Sequence, residues 1–170
     1  KRFSFEEIFT IQLGKQQTRK EYEAHPSFEI KTEMKHVHEF IRRFPFHATS
    51  AQIRSIETIL NDMHKEHPMS RLLEGDVGSG KTAVAAATAY AIINMRLQVA
   101  YMCPTEILAT QHFESFIQYF SYMPVQIGLI TGSSCRKFPS KVNPKGWTDI
   151  SRAQLLKWVA DGSIAVLVGT

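Results

Sequence analysis

An α/β fold built on a doubly wound parallel sheet is predicted, and three observations predict it. From residue 71 onward, short apolar runs alternate with amphipathic or alanine-rich segments. Parallel neighbours in a sheet need such helical crossovers. The run Ile164-Ala165-Val166-Leu167-Val168 is continuously apolar, as in a strand buried on both faces. A glycine-rich turn between these extremes joins the apolar run Leu72-Leu73 to the helix-forming Ala83-Val84-Ala85-Ala86-Ala87.

Composition sets the outer limits. The chain has 170 residues, enough for one domain with a real core, and 44% of them are hydrophobic, which excludes a disordered chain. No apolar run approaches the ~18 residues of a membrane span. The opening Lys1-Arg2-Phe3-Ser4 leads straight into a charged amphipathic segment without the pattern of a signal peptide. The first residue is not Met, so the chain is expected to begin inside a longer protein. Cys103 and Cys135 have no metal-type spacing and are read as reduced thiols of a cytoplasmic protein. A net charge of +4 is compatible with a nucleic-acid partner without demonstrating one.

In chain order, Ser4 and Glu7 form a capping box, with Phe3 and Ile8 placed for a hydrophobic staple, so a helix is predicted over 5–23. It should end before Pro26. Lys15, Arg19 and Lys20 read as the solvated basic face of a packing helix. A shorter helix is predicted over 34–43, followed by an extended Phe44-Pro45-Phe46. Thr49-Ser50-Ala51-Gln52 is a second capping box, opening a helix with Ile53, Ile56, Leu60 and Met63 on one face. Arg71-Leu72-Leu73-Glu74 is read as a strand, as are 98–103, 125–130 and 164–168. Helices are predicted from Pro104 to about residue 120 and from the cap Ser151 to Gly162. Residues 133–147 show neither period and carry Arg136, Lys137, Lys141 and Lys145 without an acid, so an exposed loop is expected.

The chemistry is concentrated in Gly75-Asp76-Val77-Gly78-Ser79-Gly80-Lys81-Thr82, a phosphate-cradling P-loop pattern. Its glycines let successive backbone N–H groups face one anion, and the following helix start adds partial positive charge. Lys81 is then placed for the β- and γ-phosphates of ATP and Thr82 for Mg²⁺, which makes these two the candidate catalytic residues and Thr82 the candidate metal ligand. The P-loop, Pro104-Thr105, Thr131-Gly132 and Gly169-Thr170 each follow a predicted strand. All four are therefore expected on one edge of the sheet, where a nucleotide and a second ligand lie side by side. His112 reads as a helix surface residue.

These stretches resemble the superfamily-2 helicases and, within them, the RecG branch-migration helicases. Glu74-Gly75-Asp76-Val77-Gly78-Ser79-Gly80-Lys81-Thr82 is similar to that family's motif I, and Met102-Cys103-Pro104-Thr105-Glu106-Ile107-Leu108-Ala109 with Gln111-His112 to its motif Ia. Phe46 with Thr49-Ser50-Ala51-Gln52 is similar to its adenine-reading Q motif, and Gly169-Thr170 to the start of a Gly-Thr-His-Ala-Leu motif. Ser79 and Glu106 distinguish the chain from transcription-repair coupling translocases, which usually have Tyr and Thr there.

The resemblance implies a P-loop NTPase (RecA-like) sheet with flanking helices, preceded by a helical linker. Residues 1–45 would join a wedge domain to the motor, and residues 46–170 would be the N-terminal part of its first ATP-binding lobe. It implies ATP and Mg²⁺ as cofactors. Branched DNA would run along Pro104, Thr105, Thr131, Gly132, Gly169 and Thr170, and a second RecA-like lobe would complete the motor. Phe46 and Gln52 would join residues 75–82 at the nucleotide; Gln52 also has a plain explanation as a cap, Phe46 is equally explained as a packing residue, and a plain turn explains Thr131-Gly132 nearly as well. An acidic Mg²⁺-holding motif would lie beyond Thr170, so these 170 residues alone are expected not to hydrolyse ATP. A polymerase-pushing translocase and a nucleotide-gated binding module without hydrolysis are the competing readings.

Overall fold

The order of elements follows from where the chain can pay for its backbone hydrogen bonds. A computed structural model describes residues 2–170, with the side chains of 2–4 and 22 left aside. It contains α1 (Arg2–Glu23), α2 (Met34–Ile41), α3 (Ser50–Met63), α4 (Lys81–Asn94), β1 (Val99–Met102), α5 (Glu106–Phe120), β2 (Ile127–Ile130), β3 (Cys135–Phe138), β4 (Thr148–Asp149), α6 (Arg152–Ala160) and β5 (Val166–Gly169). The sheet order is β1-β5-β2-β3-β4. β5 lies parallel between β1 and β2, with Gly169 opposite both Met102 and Ile130. Three carboxyl ends therefore finish level on one edge.

Helices cover both faces of this sheet. On one face α4 and α5 bury Ala83, Ala86, Ala87, Phe113, Phe116 and Phe120 against Ile127, Leu129, Val166 and Val168. Small alanines let α4 approach closely, while the phenylalanines of α5 fill the remaining depth. On the other face Leu155 of α6 reaches Gly128, where a Cβ would stand 2.8 Å from its terminal carbon. Gly128 is thus a packing glycine.

Phe40 anchors α2 into the same core. Its ring stacks on Tyr90 of α4 at 4.3 Å and meets Phe120 of α5 at 5.0 Å and Phe44 at 5.2 Å. The buried Thr32 hydroxyl donates to the Ala91 carbonyl at 2.8 Å and pins the approach to α2. α1 behaves differently from the expected packing helix. Phe5, Ile8, Phe9, Ile11 and Leu13 are all at least half exposed. Its apolar side chains point around the helix, so no single stripe is available to bury. The helix is already formed at Arg2; the predicted Ser4 cap and Phe3 staple rest on side chains outside those described.

Two expectations are corrected. Arg71-Leu72-Leu73-Glu74 forms no strand, and Leu72 is 80% exposed. A strand exists through its neighbour's ladder, and among the described residues none lies beside this segment. Residues 133–147 are not all loop: β3 pairs antiparallel with β2, and β4 with β3. The cations that concealed this strand are placed over aromatic faces. The Arg136 guanidinium lies 4.0 Å from the Trp147 ring centroid, and the Lys137 ammonium 5.3 Å from that of Trp158. Because β3 runs antiparallel to β2, the hairpin tip with exposed Lys141 and Lys145 lies at the amino edge, away from the level strand ends.

Replacing Phe40 by Ala is expected to destabilise the fold by about 3 to 5 kcal/mol, because it leaves a cavity among three elements. Urea denaturation of the variant checks this; a loss below about 1 kcal/mol would show that α2 is not part of the core.

Candidate functional site: a phosphate cradle beside three level strand ends

The cradle begins at α3. The Thr49 hydroxyl accepts from the Gln52 N–H at 3.2 Å, and the Gln52 amide oxygen accepts from the Thr49 N–H at 2.8 Å, so the predicted capping box is complete. The Gln52 amide nitrogen then donates to the Ser79 carbonyl at 2.8 Å. One side chain closes the helix cap and holds the P-loop. At the other end of α3, the carboxylate of Asp62 accepts from Lys65 at 2.9 Å and from Arg71 Nε at 2.7 Å. The Lys65 and Arg71 cations hold this carboxyl below its usual range. The chain is thereby tethered four residues before Gly75.

The loop itself is shaped by glycine. Gly78 and Gly80 both adopt φ +81°, a left-handed conformation that costs other residues steric strain. A Cβ on Gly80 would also collide with the Gln52 amide. The Gly80 carbonyl accepts from Ala83 and Val84, starting α4. No side chain caps this helix, so its first N–H groups are left for a ligand. Lys81 curls back over the loop, its ammonium donating to the carbonyls of Gly75 at 2.6 Å and Asp76 at 2.8 Å. Glycine-shaped backbone, open helix N–H groups and an inward ammonium are the donor set a polyphosphate needs. The residues present fit ATP.

Thr82 lies one position into α4. Its hydroxyl is 3.4 Å from Nδ1 of His112 on α5. The Tyr101 and His112 rings meet edge to face at 5.1 Å. Burial pushes the His112 pKa down and that of Tyr101 up, so both side chains favour their neutral forms. His112 is therefore a half-buried neighbour of the P-loop, contrary to the surface role expected from sequence. Phe46 is 40% exposed, with its ring 5.6 Å from Phe44 and 6.5 Å from Tyr119.

The strand ends lie together as expected. Thr105 caps α5, accepting from the Leu108 N–H at 3.3 Å, and both Pro104 and Thr105 are exposed. Thr131 is buried, its hydroxyl donating to the Ser134 carbonyl at 3.2 Å and accepting from the Ser134 N–H at 3.0 Å. Its side chain is used by the turn, and the Gly132 backbone beside it is exposed. Thr170 is exposed, and its N–H donates to the Ile130 carbonyl at 3.3 Å. Sequence reasoning missed what joins two of these turns. Glu106 accepts from the Ser133 N–H at 3.2 Å and from its hydroxyl, and a Cβ on Gly132 would stand 2.7 Å from the same carboxylate. No periodicity marks Glu106 or His112 as partners of distant loops. Among the described residues, no three His, Cys, Asp or Glu side chains converge as a metal site, and no helix is long and apolar enough to cross a membrane.

The model of the DEAD/DEAH box helicase family matches residues 49–159, from the α3 cap to the last turn of α6. The chain belongs to the DEAD/DEAH box helicase family. A helicase domain of this kind implies the use of ATP. The chain is 38% identical over 169 residues to the ATP-dependent DNA helicase RecG of Thermotoga maritima, covering 99% of this chain and 20% of that protein. It is 40% identical over 171 residues to RecG of Bacillus subtilis, covering all of this chain and 23% of that protein. The chain thus spans about a fifth of the length of these helicases. Among solved structures, it is similar to RecG bound to a three-way DNA junction, with TM-score 0.81 and 37% identity over 98% of this chain and 21% of that one. A hypothetical ATP-dependent RNA helicase from Sulfolobus tokodaii, 19% identical with TM-score 0.52 over 81% of this chain and 34% of that one, shares the fold.

The double role of Gln52 is separable. Gln52→Ala is expected to cost about 1 kcal/mol through the lost cap. Gln52→Glu keeps an acceptor for Thr49 but cannot donate to Ser79, so it should recover that stability while nucleotide affinity stays several-fold low. Denaturation midpoints paired with nucleotide titrations check both; wild-type affinity in Gln52→Glu would show that the Ser79 bond does not hold the loop.

Proposed function

We propose that the chain is the nucleotide-binding part of a RecG-type DNA helicase motor. Residues 46–170 form the N-terminal part of its first RecA-like lobe, and residues 1–45 connect that lobe to a wedge domain acting on branched DNA such as forks and Holliday junctions. The start of α4 carries this reading: Lys81, Thr82 and uncapped N–H groups converge there, on the sheet that presents Pro104-Thr105, Thr131-Gly132 and Gly169-Thr170 at level strand ends. Likeness to RecG on a three-way junction supports branched DNA as the second ligand. The burial of α2 in the core makes the connecting segment part of the lobe by packing, so movement of a wedge domain would be felt at α4.

In this reading the backbone of 75–80 and the Lys81 ammonium hold the β- and γ-phosphates, the Thr82 hydroxyl ligates Mg²⁺, and Phe46 and Gln52 stand at the adenine. Magnesium, when bound, neutralises charge on the phosphate oxygens. ATP binding and hydrolysis would close and open a second RecA-like lobe against this one, and each cycle would shift the DNA backbone across the three strand-end turns. Open N–H groups at the Thr105 end of α5 suit a DNA phosphate. The free thiols Cys103 and Cys135 agree with a cytoplasmic setting.

Lys81→Ala in the full-length protein is expected to lower DNA-stimulated ATPase by roughly 10²- to 10³-fold. The melting temperature should be preserved, since Ala is well tolerated at a helix start. Retained ATPase would overturn the assignment. In the same assay the isolated 170-residue chain should be inactive. β1 runs into Cys103-Pro104, β2 into Thr131-Gly132 and β5 ends in Gly169, none offering a carboxylate for Mg²⁺, and Glu106 is engaged by Ser133. A steady ATPase of the isolated chain that Lys81→Ala abolishes would overturn the partial-motor reading.

A further inference from the structure

A threonine inside a helix ordinarily donates its hydroxyl proton to the carbonyl four residues back. Thr58 does so to Arg54 at 2.8 Å, and Thr88 to Val84 at 3.0 Å. Thr82 has no such partner. Four residues back is Gly78, in the left-handed part of the loop before α4 begins. A threonine oxygen that gives a lone pair to a cation must send its proton elsewhere, and the direction of that proton fixes the direction of the lone pairs. The group waiting there comes from another element, His112 of α5.

We propose that His112 is a positioning residue for nucleotide-bound magnesium: its Nδ1 accepts the Thr82 hydroxyl proton and aims the Thr82 oxygen into the P-loop. The inference rests on the P-loop reading and deepens it. The neutral imidazole tautomer with its proton on Nε2 presents a lone pair at Nδ1, 3.4 Å from the Thr82 oxygen. The ring cannot swing away easily. It is half-buried and packs edge to face on Tyr101, which is backed in turn by Phe116 at 5.1 Å.

The test titrates full-length protein with a fluorescent N-methylanthraniloyl ADP, once in excess Mg²⁺ and once in EDTA, and then titrates Mg²⁺ at fixed nucleotide. His112→Ala should raise the half-saturating Mg²⁺ roughly tenfold, the lower end of the usual effect of removing such a partner. Its affinity in EDTA should stay within about twofold of wild type, since N–H groups and Lys81 still hold the phosphates. His112→Asn, whose amide oxygen falls near the position of Nδ1, should restore most of the Mg²⁺ response. Three results would each overturn the proposal: an unchanged Mg²⁺ requirement in His112→Ala, an equal loss in Mg²⁺ and EDTA, which marks a packing role alone, or no recovery in His112→Asn. A wild-type protein whose nucleotide binding ignores Mg²⁺ would instead overturn the P-loop reading, and the His112 role with it.

Discussion

The backbone reversal at Gly80 is the constraint on which the site depends. At φ +81° its carbonyl turns to receive the Ala83 and Val84 N–H groups of α4, while the N–H groups of Lys81 and Thr82 before them stay open at the helix start. Two contacts keep this arrangement in place. The Gln52 amide sits where a Cβ would be and holds Ser79, and the Lys81 ammonium bridges the carbonyls of Gly75 and Asp76. The loop is exposed and almost without apolar contacts; Val77 is fully solvent-accessible. Its shape therefore comes from glycine dihedrals and a few hydrogen bonds rather than from packing.

α5 gives the site its second dimension. Its first residue, Glu106, holds the Ser133 turn, and His112 six residues later reaches Thr82. Six residues of helix span about 9 Å, so one rigid element touches both the strand-end turns and the start of α4. The buried face of α5, Ala109, Phe113, Phe116 and Phe120, locks this element to the sheet.

Much of this was legible before any coordinates. The Thr49–Gln52, Thr105 and Ser151 caps are local hydrogen-bond patterns, and each forms as read. The alternation of helices and apolar runs led directly to three parallel strands with level carboxyl ends. The β3–β4 hairpin was hidden because strand patterning presumes that a strand's cations face water. Here Arg136 and Lys137 set their charged heads over tryptophan faces instead, and Arg136 Nε is buried without a hydrogen bond, 3.6 Å from Asp149. The strand expected at Arg71-Leu72-Leu73-Glu74 failed for the complementary reason. Its composition suits a strand, but a strand is a relation between two segments.

By itself the sequence determined the local pattern on which the proposed phosphate cradle rests. Glycine spacing, Lys81 and Thr82 are consecutive in the chain, and short-range geometry dictates where their donors point. It also determined the helix starts, since a cap and its target N–H groups lie three residues apart. Only the tertiary structure decided the contacts across elements: Gln52 on Ser79, Glu106 on Ser133, and His112, packed on Tyr101, at Thr82. These pairs are separated by up to 30 residues, and nothing in local spacing selects among the many polar side chains that could fill such roles. Their choice is made when α4 and α5 pack on one face of the sheet, because that packing sets which polar atoms come within reach of the P-loop.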